Sequence, residues 1–73
     1  GQPLAVSVSG ESATMRSSAD AARAEAQAAR LVYQRDQSLV TQGVVARQEL
    51  EASRARSLAA DATARAAAAH VAA

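Results

Sequence analysis

Residues 35–50 read RDQSLVTQGVVARQEL, and they join two long alanine-rich segments. Gly43 is the only glycine after residue 10. A glycine just past a periodic segment is the usual left-handed terminator of a helix. Around it stand Leu39, Val40, Val44, Val45 and Leu50, a concentration of large apolar side chains in a chain otherwise built from small ones. The fold follows from what this stretch connects.

From residue 10 to residue 41 there is no proline, and Ala, Arg, Gln and Glu dominate. All are strong helix formers. Met15, Ala19, Ala22, Ala26, Ala29, Tyr33, Asp36 and Val40 recur at alternating steps of four and three, a stripe that only Asp36 interrupts. Arg16 and Asp20 stand four apart, a spacing that supports a helix modestly. After the glycine a second stripe runs Leu50, Ser53, Ser57, Ala60, Ala64, Ala67, Val71, a heptad seam of small residues. The face opposite that seam carries Ala52, Ala55, Ala59, Ala62, Ala66, Ala69 and Ala73. A short loop between two long helices makes them antiparallel. The expected fold is all-α, an antiparallel two-helix coiled-coil hairpin. Its first helix covers residues 10–41, its tip 42–46 and its second helix 47–73, with arms about 40–45 Å long at 1.5 Å per residue.

Residues 3–8, PLAVSV, alternate apolar and polar, which predicts a short strand over the first nine residues. A lone strand is not stable, so its partners are expected outside this sequence. The same expectation follows from a chain that begins Gly-Gln-Pro-Leu without Met. Ser9 or Ser12 can cap the helix that follows, and Glu11 suits its first turn.

Of the 73 residues, 22 are alanine and Tyr33 is the only aromatic. Each buried CH2 is worth only about 0.8 kcal/mol, so such a chain gains little from a core of its own. The balance is +1, all eight basic residues are Arg, and the charges are interspersed. A nucleic-acid binder would show a basic stripe with aromatics for stacking, and neither is present. Without Cys there is no disulfide and no thiolate metal site. No apolar run approaches the ~20 residues that span a bilayer.

Nothing points to catalysis. His70 is the only histidine, with Asp61 nine residues away. Ser53 and Ser57 lie in the seam without a base, and Met15 with His70 is no metal cluster. No catalytic residue, metal ligand or cofactor is expected.

The tip admits two readings. Val44 and Val45 at the turn can fold back on Leu39 and Leu50 and plug the end of the coiled coil, or they can form an exposed apolar patch for docking. Here the segment YQRDQSLVTQGVVARQELEASRA resembles the hairpin tip of the periplasmic adaptors, or membrane fusion proteins, of tripartite efflux pumps. That family's tip carries Arg, then Leu four residues on, then Ser seven residues after the Leu. Arg35 and Leu39 stand at the first two places, and Ala46 departs from the third. Gln42–Gly43, Val44–Val45 and Gln48–Leu50 are similar to the family's tip as well. The opening GQPLAVSV is similar to the strand that closes the first half of the adaptor's lipoyl-like domain, so the resemblance covers essentially the whole chain.

The resemblance implies a structural connector in the periplasm, held to the inner membrane by a segment outside this chain. Such adaptors bridge an inner-membrane transporter, through domains not present here, to an outer-membrane channel. They also self-associate into a ring. Carried over by position, Arg35, Leu39, Gly43, Val44, Val45 and Ala46 form the channel-binding tip, while Ala52, Ala55, Ala59, Ala62 and Ala66 pack against neighbouring hairpins. Ala46 lacks the capping hydroxyl, typically worth about 1 kcal/mol, although Glu49 keeps the other half of a capping box. The rival reading is a generic antiparallel coiled-coil spacer or dimerisation arm. A tRNA-binding arm is disfavoured by the near-neutral charge.

Overall fold

The computed structural model describes the backbone of residues 2–72 and the side chains of residues 12–71. Two helices, α1 (Gln2–Thr41) and α2 (Arg47–Ala72), fold back on each other through residues 42–46. The result is a rod of 63 × 15 × 14 Å. The chain is thus the all-α two-helix hairpin that the two small-residue stripes predict.

The strand over the first nine residues does not form. Among the described residues there is no strand at all, and residues 2–9 continue α1. So no strand of a lipoyl-like half precedes the hairpin in this chain. The physical reason is cooperativity. Extending an existing helix adds one hydrogen bond per residue fixed, whereas a strand gains nothing without a partner. Pro3 falls in the first turn, where its missing N–H costs no hydrogen bond. Ser9 and Ser12 accordingly sit inside α1 and cap nothing.

The turn is built from its own backbone. The Gly43 N–H donates to the Val40 carbonyl at 3.0 Å and the Val44 N–H to the Leu39 carbonyl at 2.9 Å. With Gly43 at φ +76°, that pair of bonds is a Schellman motif, which satisfies carbonyls the helix end leaves open. Arg47 is the first helical residue of α2, and Ala46 accepts from the N–H groups of Glu49 (3.0 Å) and Leu50 (3.3 Å). Ala46 is therefore the N-cap, and no side-chain hydroxyl closes that end.

Along the seam the packing is thin. From Ala19 to Val40 on α1, and from Leu50 to Val71 on α2, every residue of the two stripes is buried or half-buried. Met15, at the open end, is 47% exposed. Ala19 and Ala26 are the buried apolar side chains, joined by two polar ones, Asp36 at 7% and Ser53 at 3% exposure. Two hydroxyls of α2 bond their own backbone: Ser53 Oγ donates to the Leu50 carbonyl at 3.0 Å, and Thr63 Oγ1 to the Ala59 carbonyl at 3.1 Å.

Candidate interaction surfaces

Four of the five large apolar residues around the turn face inward. Leu39, Val40, Val45 and Leu50 are half-buried, while Val44 remains 66% exposed. Plugging therefore claims Val45 and Leu39, and the apolar group left outside is Val44.

Arg35, Leu39 and Val45 line one depression beside the tip, together with Val32, Asp36 and Glu49. Arg35 is 66% exposed, with its Nε 3.7 Å from Oδ1 of the adjacent Asp36. That carboxylate sits at a seam position, where a polar group tends to fix register at a cost in stability. Gly43, Val44 and Ala46 lie outside the depression, on the exposed end of the hairpin.

The alanine face of α2 resolves into two rows. Ala52 and Ala59 border grooves shared with α1, and Ala66 continues their seven-residue spacing. Ala55 and Ala62 belong to a second row further round the helix. All five are exposed. The tip depression runs into a second groove through Val32 and Arg56, which line both. This second groove adds Glu25, Ala28, Ala29, Ala60 and Thr63. A third, at the open end, lies between Ser18 and His70. Val32, Glu25 and Arg56 are thus surface residues that the stripes alone did not single out. The signal was available: residues 18, 25, 32 and 39, and residues 49, 56, 63 and 70, recur every seven and flank the seam on one side.

The opposite broad side carries charges of both signs. Arg16, Asp20 and Arg23 line a hollow there with Ala68 and Val71, and Arg30 reaches Asp61 across the seam at 3.4 Å. Asp61 also holds Arg65 at 2.8 Å.

Among the described residues no group of three or more His, Cys, Asp or Glu is placed to hold a metal ion, and no helix is long and apolar enough to cross a membrane. No protein-family model matches the chain, and neither a curated protein nor a solved structure matches it.

Proposed function

We propose that this chain works as a structural arm, an antiparallel coiled-coil hairpin that serves as a spacer or a self-association element and carries out no chemistry of its own. The observation that carries this reading is the shape. A rod 63 Å long and about 15 Å across has its groups spread along two helices, a form suited to separating or joining other bodies. Its radius of gyration, 17.5 Å, compares with about 11 Å for a compact globule of this length. Small-angle X-ray scattering on the chain tests the reading directly. A radius of gyration at or above 17.5 Å with a rod-like cross-section supports it, and a compact particle overturns it.

A second reading has one observation in its favour. Val44 stands exposed at the end of the rod, close in sequence to an exposed Arg35. An exposed apolar group and an exposed guanidinium toward the same end of the rod suit docking onto the backbone carbonyls or carboxylates of a helix end. In this reading the hairpin belongs to a periplasmic adaptor, binds an outer-membrane channel by its tip and packs beside other hairpins in a ring. Combining Arg35→Ala with Val44→Ser in the pump's adaptor then abolishes efflux-dependent resistance at unchanged helix content. Full resistance in that variant overturns the reading.

A further inference from the structure

We infer that a second copy of this chain docks antiparallel on the grooved side of the hairpin, across a two-fold axis beside Ala59, to make a four-helix bundle. The inference rests on the structural-arm reading and supplies its partner. Three observations point to it, and the first is surface. The chain exposes 5598 Å². A compact protein of its mass would expose about 4,200 Å². The excess is larger than the ~800 Å² that each partner gives up in a standard interface.

The second observation is the order of residues along the grooved side. A two-fold interface must be self-complementary, so that when residue i meets j, j meets i. On α1 the axis lies level with residue 30, midway between Ala28 and Val32. Reversal about that level sets Glu25 against Arg35 of the second copy and Val32 against its Ala28. Acid meets base, and large meets small. On α2 the same level is residues 59–60, because Ala29 and Ala60 line one groove and Arg30 reaches Asp61. Reversal there sets Glu49 against His70 of the second copy and places Ala59 beside its own counterpart. Val32, Ala29, Ala60 and Asp61 are half-buried, and the others are exposed in the single hairpin. One axis thus satisfies both helices.

The third observation is the other side of the rod. Arg16, Arg23, Arg30, Arg54 and Arg65 share that side with Asp20 and Asp61. Reversal about the same level sets Arg30 against its own counterpart and Arg54 against Arg65 of the second copy, so at that level the grooved side is the self-complementary one of the two.

Sedimentation equilibrium combined with cysteine cross-linking of the 73-residue chain tests the proposal. The chain is expected to be a dimer. Ala59→Cys should oxidise to a linked dimer, and Ala55→Cys, in the outer row, should not. Glu25→Arg should weaken the dimer at least tenfold at unchanged helix content, and adding Arg35→Glu should restore it. A helical monomer at every concentration overturns the inference. So does a dimer indifferent to both charge reversals, or one that links through Ala55→Cys as readily as through Ala59→Cys. None of these results alters the rod shape read by scattering, so the arm reading stands or falls separately.

Discussion

Arg30 Nη2 lies 3.4 Å from Asp61 Oδ1, and among the described residues this is the one ion pair that joins α1 to α2. It brings residue 30 close to residue 61 and so marks the register of the hairpin. It does not create that register. Arg30 is 56% exposed, and exposed pairs contribute about 0–1 kcal/mol. The register comes from the small-residue seams themselves.

Asp61→Ala is therefore expected to lower stability by less than about 1 kcal/mol in urea unfolding. Cysteines at Ala29 and Ala60, which line the same groove, should still cross-link within one chain in that background. Loss of the cross-link on removing Asp61 would mean that the ion pair, not the seam, aligns the helices.

Gly43 is held at φ +76° with nothing within 4 Å of where a Cβ would sit. The cost of a side chain there is torsional, not steric. Gly43→Ala should destabilise the hairpin by about 1–2 kcal/mol, and Gly43→Asn by less, since Asn tolerates the left-handed region. Denaturant midpoints of the two variants measure the difference. Equal midpoints for Ala and wild type would contradict the turn geometry.

Much of this architecture was legible in the sequence because each helix carries one stripe of small or apolar residues, interrupted in α1 only by Asp36. With a single glycine after residue 10, the turn had only one place to be. PLAVSV misled because three alternating residues, Leu4, Val6 and Val8, fit a strand period but say nothing about whether a partner exists. The division of the tip was hidden for a different reason. Val44 and Val45 are adjacent and chemically identical, and nothing in the sequence separates the exposed one from the half-buried one. Likewise, Ala52 and Ala55 read as one face until the neighbouring helix shows which row borders a groove.

Asp36 is 7% exposed at a seam position, and its carboxylate lies 3.7 Å from Nε of the exposed Arg35. Replacing this carboxylate with an apolar group should remove a desolvation cost. Asp36→Leu is expected to raise stability by about 1–2 kcal/mol, read from thermal unfolding by circular dichroism. A lower melting temperature would show that the carboxylate holds the seam together.

At the tip, burial separates folding from binding. Leu39→Ser removes a half-buried side chain and should cost about 1–3 kcal/mol of stability. Val44→Ser and Arg35→Ala change exposed groups and should each stay within about 0.5 kcal/mol. Unfolding curves of the three variants check the order. A large loss from Val44→Ser would place that valine inside the plug after all.

Every surface described above depends on α2 folding back along α1 within one chain. Ser18 and His70 line the same groove at the open end, 52 positions apart in sequence. Spin labels at these two positions, diluted with unlabelled chain, measure their separation by pulsed electron resonance. The hairpin gives one short, narrow distance. A separation near ~78 Å, the length of those residues laid out along a single continuous helix, would contradict it.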